Sequence, residues 1–331
     1  MKPQTAIVTG GAGFIGSHLV ELLLAQGFKV KVIDNLVGGR LSNIESLVNN
    51  SLIEFLNQDI LDIPLDSMFF REVDFVFHLA GIADIVPSIE DPIDYMAVNV
   101  LGTVRMLELS RRNNVKRFVY AASSSCYGLA DTPTSETNLI NPRYPYALSK
   151  FQGEQAAFHW NQVYSLPVNS ICIFNAYGPR VRTNGVYGAV FGVFLKQKLS
   201  GAPLTIVGDG SQKRDFVFVT DVASTFLKAA QCEAVGERFN IGTGNPQSIL
   251  RLSELIGGPV VFIPKRPGEP DITHANISKS VTTLGWTPSV SFEYGVQLML
   301  DNISTWNDAP LWSPELISKS TESWFKYLGP K

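Results

Sequence analysis

The chain has 331 residues, 45% of them hydrophobic, enough to fill one large core or two modest ones, and 27 basic against 30 acidic residues leave a formal net charge of −3. That balance, with the positive charges scattered along the chain, leaves no electrostatic footprint for nucleic acid. Cys126, Cys172 and Cys232 are too few and too far apart for a disulfide framework or thiolate metal site, the four histidines lack ligand spacing, and no signal-peptide pattern or membrane-length apolar run is present, so the expectation is a cytoplasmic protein with no metal and no membrane partner.

The first expected element is a strand over 5–9 carrying Ala6-Ile7-Val8. It runs into Thr9-Gly10-Gly11-Ala12-Gly13-Phe14-Ile15-Gly16, after which Ile15, Leu19, Leu22 and Leu23 recur at helical spacing and predict a helix over 17–26. Glycines at Gly10, Gly13 and Gly16 let the backbone turn tightly, bring a pyrophosphate against bare N–H groups at the positive end of the helix, and allow helix and strand to approach. Glycines also serve turns and close packing for structural reasons alone. The context favours a dinucleotide: the next strand, 29–34, ends in Asp34, about 20 residues on, where a carboxylate accepts the ribose hydroxyls of NAD and repels the 2′-phosphate of NADP.

Further strands are expected over 52–57, 74–79, 117–123 and 168–174, a short helix over 41–49, and long helices over 92–113 and 146–165. This alternation predicts an α/β fold with a doubly wound parallel sheet covered by helices on both faces. Ligands of such sheets bind beyond the carboxyl ends of the strands, which puts the glycine loop, Asp34, Asp59-Ile60, Ala80-Gly81, Ser123-Ser124-Ser125 and Asn175 on one edge. Each alone reads as turn chemistry; together they read as a site. The Asp59 side chain can accept from an adenine amino group while the Ile60 backbone donates, or it can cap a helix. Asn99 is either a satisfied core amide or a tie between loops around the cofactor.

The reactive groups lie in Tyr146-Ala147-Leu148-Ser149-Lys150. Residues four apart share a helix face, so the Tyr146 phenol and Lys150 ammonium are neighbours, and a nearby cation is expected to lower the phenol pKa towards a value useful in a base. A solvated helix face gives the same spacing. Against that, Pro145 places the pair on the first turn of its helix, and the strand ending at Ser123 supplies a hydroxyl able to share a proton with the phenol.

These motifs, with His78-Leu79-Ala80-Gly81, Ser123-Ser124-Ser125-Cys126-Tyr127-Gly128, Phe174-Asn175-Ala176-Tyr177-Gly178-Pro179-Arg180 and Arg214-Asp215-Phe216, make the chain resemble the extended short-chain dehydrogenases/reductases that act on nucleotide sugars, over roughly residues 4 to 300. It is most similar there to the UDP-glucose and UDP-N-acetylglucosamine 4-epimerases. The resemblance implies a Rossmann-type NAD domain over 1–178, to which 215–242 returns, and a smaller mixed α/β substrate domain with a C-terminal cap over 179–331. It implies Ser123, Tyr146 and Lys150 as catalytic residues. The implied cofactor set is Gly10, Gly13, Phe14, Ile15, Gly16, Asp34, Asn35, Asp59, Ile60, Leu79, Ala80, Gly81, Asn99 and Phe174 beside Tyr146 and Lys150.

For the nucleotide-sugar substrate, the resemblance implies that Arg214 and Arg266 bind the diphosphate and Glu269 a ribose hydroxyl. Asn175 would hold a phosphate or sugar oxygen, Thr205, Ile206 and Val207 would flank the base, and Ser124, Ser125 and Val190 would line the sugar side. Counting seven positions from Arg266 reaches Thr273, where the 4-epimerases place the side chain that borders the sugar C2 substituent; a threonine leaves room for an N-acetyl group, or simply faces a neighbour. A homodimer through helices 92–113 and 146–165 is also implied, with Met106, Leu109, Phe151, Phe158 and Trp160 as apolar residues that one sheet face would leave uncovered. The expected activity is 4-epimerisation through a transient 4-keto sugar. Dehydratases and decarboxylases of the family place an acid just after the catalytic hydroxyl, where this chain has Ser124 and Ser125, which argues against 4,6-dehydration. A uronic acid 4-epimerase or 4-keto reductase stays open, and a silent NAD-binding sensor is disfavoured because Tyr146 and Lys150 are both present. Trp306, Trp312 and Trp324 near the C-terminus read as a packed cap, with a subunit contact as the second choice.

Overall fold

A computed structural model describes residues 3–47, 50–183, 190–266 and 268–329 of the chain. Strands β1 (Thr5–Thr9), β2 (Lys29–Asp34), β3 (Ile53–Asn57), β4 (Phe75–His78), β5 (Arg117–Ser123) and β6 (Val168–Ile173) fall within one residue of the expected positions. A seventh, β7 (Glu237–Ile241), pairs with the outer edge of β6. Among the described residues the sheet runs β7-β6-β5-β4-β1-β2-β3, all parallel.

Side chains alternate across it, as a period of two requires. Ala6, Val8, Val119 and Ala121 pack on one face with Leu19, Leu23, Val222 and Phe226 of helices Phe14–Ala25 and Val219–Gln231. Ile7, Phe118 and Tyr120 pack on the other with Met106 and Ala157 of helices Thr103–Arg112 and Pro145–Tyr164. Burial on both faces explains why these strands read as continuous apolar runs. The strand order reverses at β1, so the crevice between the ends of β1 and β4 is where such a sheet receives a ligand.

A second core gathers Tyr177, Phe191, Phe194, Leu204, Ile206, Phe216, Leu252 and Trp306. Short strand pairs frame it: Asn175–Tyr177 with Phe216–Phe218, Leu204–Val207 with Val260–Ile263, and Lys213–Arg214 with Gln247–Ser248. Helices Pro314–Ser320 and Glu322–Leu328 follow it; Ser313 caps the first, its Oγ accepting from the Leu316 N–H.

Three expectations are corrected. Over 41–47 only a single turn of helix forms, Leu41–Asn43, and residues 48 and 49 of the expected helix lie outside the described residues. The Arg40 N–H and the Asn43 side-chain amide both donate to the Ala12 carbonyl, at 2.9 and 2.8 Å, and hold this segment to the glycine loop. The helix expected over 92–113 contains a widened turn with the wider π hydrogen-bonding pattern at Ala97–Gly102. Met106 and Leu109 are covered by their own sheet, and Phe151, Phe158 and Trp160 are half-buried; the large hydrophobic residues left exposed on these helices are Ile93, Leu101, Leu148, Val163 and Tyr164. No helix among the described residues is long and apolar enough to cross a membrane.

Candidate active site

The glycine loop is as tight as its composition suggests. Gly10 has φ +69°, and a Cβ there would sit 2.7 Å from the Ala80 nitrogen; one on Gly16 would sit 2.1 Å from the Gly10 carbonyl oxygen. The N-cap of the following helix, Gly13, has extended backbone and makes no side-chain cap, so the helix presents a bare N-terminus, the kind of cradle that takes a phosphate. Asp34 lies beside it. Its Oδ2 accepts from the Ala12 N–H at 3.0 Å and its Oδ1 from the Leu36 N–H at 2.8 Å, leaving each oxygen a further acceptor position. Burial pushes the Asp34 carboxyl up, and the two backbone N–H groups oppose it. These residues fit a dinucleotide. Asp59 is in an Asx turn, accepting from the Leu61 N–H at 2.8 Å and from the Asn35 amide at 2.7 Å; Ile60 is buried against Gly102.

Under the crevice runs a line of hydrogen bonds with one polarity. The Ala80 N–H donates to Thr9 Oγ1 at 3.1 Å, Thr9 pairs with His78 Nδ1 at 2.8 Å, His78 Nε2 pairs with Thr103 Oγ1 at 3.0 Å, and Thr103 donates to the Asn99 carbonyl at 2.7 Å. These partners assign His78 the neutral tautomer with its proton on Nε2. Burial, aided by the Lys150 charge, holds its pKa down to about 3. The Asn99 side chain, in the widened turn, accepts from the Ile82 N–H at 2.8 Å and donates to Ser149 Oγ at 2.9 Å. It thus joins the loop after β4, which begins Leu79-Ala80-Gly81, to the helix of Tyr146 and Lys150.

The Tyr146 phenol lies beside the Ser123 side chain; burial moves its pKa up, and Ser123 opposes the rise. The expected fall is therefore not found: desolvation of a buried phenolate, with Asp84, Cys126 and Cys172 acting in the same direction, outweighs Ser123. Lys150 is itself buried, which lowers its pKa to about 8, and its ammonium lies 4.5 Å from the centroid of the Tyr120 ring. A Cβ on Gly81 would meet Lys150 Nζ at 3.7 Å and Asn99 Oδ1 at 2.8 Å, so glycine keeps the side of the Lys150 amine open.

Tyr146 and Ser123 open onto a cleft of about 600 Å³ between the sheet edge and the second core, of a size that takes a small-molecule ligand. Phe14, Ile15, Ser124, Ser125, Phe174, Asn175, Val190, Thr205, Val207, Arg214, Arg266, Glu269 and Thr273 all line it. Ile206 is corrected: on alternating strand Leu204–Val207 its side chain turns into the second core, so only its backbone is available to a base. Glu269 bridges the two arginines, Oε1 accepting from Arg214 Nη2 at 2.8 Å and Oε2 lying 3.1 Å from Arg266 Nε; Pro267, in this loop, lies outside the described residues. Thr273 Oγ1 donates to Asn175 Oδ1 at 2.7 Å and accepts from the Asp215 N–H at 3.1 Å. Fully buried Asp215 accepts the N–H groups of Thr243, Gly244 and Ala275, which fixes the loop that carries Arg214.

Sequence reasoning missed several neighbours. Tyr144 lies beside Ser125 and its ring stacks on Tyr146, 6.5 Å between centroids at 10°. Tyr95 meets Tyr146 edge-on at 6.3 Å, and Arg143, Arg182 and Asp84 also line the cleft. The run Arg143-Tyr144-Pro145-Tyr146 was the available signal for two of them.

A family model described as the NAD dependent epimerase/dehydratase family matches residues 6–242. The chain belongs to this family. The UDP-glucose 4-epimerase of Mycolicibacterium smegmatis is 38% identical over 299 residues, 88% of this chain and 95% of that protein. Among solved structures, the UDP-glucuronic acid 4-epimerase of Bacillus cereus, in complex with UDP-glucuronic acid and NAD, superposes with a TM-score of 0.85 at 33% identity, over 91% of this chain and 99% of that one. The UDP-N-acetylglucosamine 4-epimerase of Methanobrevibacter ruminantium, in complex with UDP-N-acetylmuramic acid, gives 0.87 at 30%, over 92% and 100%. The protein is thus an enzyme of the NAD-dependent epimerase type with a Rossmann-type α/β fold.

Proposed function

We propose that the protein is a 4-epimerase of a nucleoside-diphosphate hexose of the UDP-glucose or UDP-N-acetylglucosamine type. The observation that carries this reading is the Tyr146 phenol beside the Ser123 side chain, one turn before Lys150, lining the same cleft as Arg214 and Arg266, which meet on Glu269. Gly10, Gly13 and Gly16 with the helix N-terminus would hold the pyrophosphate of NAD, and Asp34 its ribose. A cofactor held there would supply two-electron hydride exchange with the sugar C4. Tyr146 takes the proton of the 4-hydroxyl and later gives it back. Ser123 steadies the developing charge on that oxygen, and Lys150, charged at neutral pH, favours the phenolate when the proton leaves. The two guanidinium forks suit a diphosphate, which would displace Glu269 towards a ribose hydroxyl. Held by its diphosphate alone, the 4-keto sugar can turn over and be reduced on its other face.

Several parts of the reading rest on the same residues. Asn35, Asp59, Ile60, Leu79, Ala80, Gly81 and Asn99 would complete the cofactor side. Residues 1–178 with 215–242 would form the NAD domain and 179–331 the substrate domain. The exposed Ile93, Leu101, Leu148 and Val163 support a homodimer through the two long helices, and the reading places the enzyme in the cytoplasm. The test is to incubate the purified protein with UDP-glucose, UDP-N-acetylglucosamine and UDP-glucuronic acid and to read the products by NMR. Conversion to the C4 epimer without net reduction of cofactor is expected; loss of water or carbon dioxide would overturn the reading.

A further inference from the structure

The tail is laid across the mouth of the cleft. Helix Glu322–Leu328 packs on helix Ile85–Glu90 of the sheet side, with Ser323 Oγ donating to Glu90 Oε1 at 2.8 Å. Its far end reaches the loop of Arg266 and Glu269: a Cβ on Gly268 would meet the Leu328 carbonyl oxygen at 3.5 Å. Between these anchors Trp324, 4% exposed, points inward and lines the cleft. The Arg266 guanidinium lies 5.6 Å from its ring centroid, and the ring of Tyr144, which stacks on Tyr146, lies 6.1 Å away. The other end of the tail is tied down as well. The Trp312 carbonyl accepts from the Gln197 amide at 2.8 Å, and the same amide group serves both Thr205 Oγ1 and the Thr205 N–H.

We infer that Trp324 is a positioning residue for the substrate diphosphate, acting through Arg266. Glu269 alone would draw Arg266 and Arg214 onto one carboxylate. An indole face attracts the guanidinium through its plane and leaves the edge N–H donors to point elsewhere, so Trp324 keeps the Arg266 fork aimed into the cleft while the ion pair is exchanged for phosphate. The tail is thereby part of the substrate site, and the sheet-side helix on which it rests, Ile85–Glu90, contributes to substrate affinity by holding it there. The inference rests on the reading of Arg266 as a diphosphate ligand.

The test compares full-length wild type with Trp324→Phe, which keeps a ring face, and Trp324→Leu, which fills volume without one. Affinity for UDP is measured by calorimetry, with KM and kcat for the nucleotide sugar and the NAD released on denaturation. Trp324→Leu is expected to weaken UDP binding and raise KM by about tenfold, with kcat within about twofold of wild type and NAD content unchanged, and Trp324→Phe to stay within about threefold of wild type. Equal UDP affinity in wild type and Trp324→Leu, or a loss shared equally by the Phe and Leu variants, overturns the role of Trp324 and leaves the epimerase reading standing. Wild type that binds no UDP overturns the diphosphate reading and this inference with it.

Discussion

His78 ties the acid stability of the protein to the floor of the NAD crevice. Its two nitrogens are occupied by Thr9 and Thr103 in a line that accommodates one proton only, and its pKa is held down from 6.5 to about 3. The unfolded chain takes up a proton below pH 6.5 and the folded chain does not. Between those values stability therefore falls as pH falls, by about 1.4 kcal/mol per pH unit for this one group. Above pH 6.5 His78 is neutral in both states and contributes no slope. At pH 5 the loss amounts to roughly 2 kcal/mol, a large part of the stability of an ordinary domain. The assay is urea unfolding of wild type and His78→Gln at pH 7.5, 6 and 5. His18, whose pKa burial also lowers, is common to both proteins and cancels. The variant is expected to be less stable at pH 7.5, because a glutamine replaces a packed ring, and the gap is expected to shrink by about 2 kcal/mol at pH 5. A gap that stays constant with pH would refute the reasoning, since it would mean that His78 takes up its proton as readily folded as unfolded.

Three further outcomes are expected. Tyr146→Phe should cut turnover by about 100-fold or more while NAD stays bound, because proton transfer and cofactor affinity reside in different residues; activity above a tenth of wild type would remove Tyr146 from the mechanism. NAD, not NADP, should be released from the denatured protein, since Asp34 is lined up at the glycine loop and Arg40, the nearest rescue for a 2′-phosphate, is engaged with the Val181 carbonyl at 2.8 Å and Thr183 Oγ1 at 3.3 Å; finding NADP would contradict the reading of Asp34. Thr273→Tyr should slow turnover of an N-acetylated hexose more than that of the plain one, and equal slowing of both would show that the bond from Thr273 to Asn175 matters and the volume at Thr273 does not.

The sheet was legible because β1, β4 and β5 are buried on both faces and read as apolar runs stopped by small or polar residues, while β2, β3 and β6 keep apolar residues between polar ones such as Lys31, Glu54 and Asn169. Strand β7 is different: it holds Glu237, Arg238 and Asn240, which lie at the sheet edge through partners distant in sequence, Lys279 for Glu237, the fully buried Glu154 for Arg238, and Tyr127 and Thr134 for Asn240. The segment 41–49 misled because Leu41, Ile44 and Leu47 recur at helical spacing, while the bonds that unmake the helix run to Ala12, far away in the chain. At the site, spacing was enough to bring Tyr146, Lys150 and Ser123 together. It was silent on burial, which reverses the expected direction of the Tyr146 pKa. The joining of Arg214 and Arg266 through Glu269, and the arrival of Trp324 beside them, depend on contacts between segments tens of residues apart that no local pattern encodes.

The outermost strand has a consequence for how the molecule is made. During synthesis β1 to β6 emerge first, and β6, buried along its whole length in the finished protein, must wait with one edge open until residues 237–241 leave the ribosome. An open apolar edge is a template for wrong pairing. By the time β7 seals it, Tyr177, Phe191, Phe194, Leu204, Ile206 and Phe216 of the second core have emerged, while Arg266, Glu269, Thr273 and Trp324 of the cleft wall are still to come. The sheet is therefore complete before the substrate side of the cleft, and a nascent chain stalled short of residue 237 is the species that leaves β6 open.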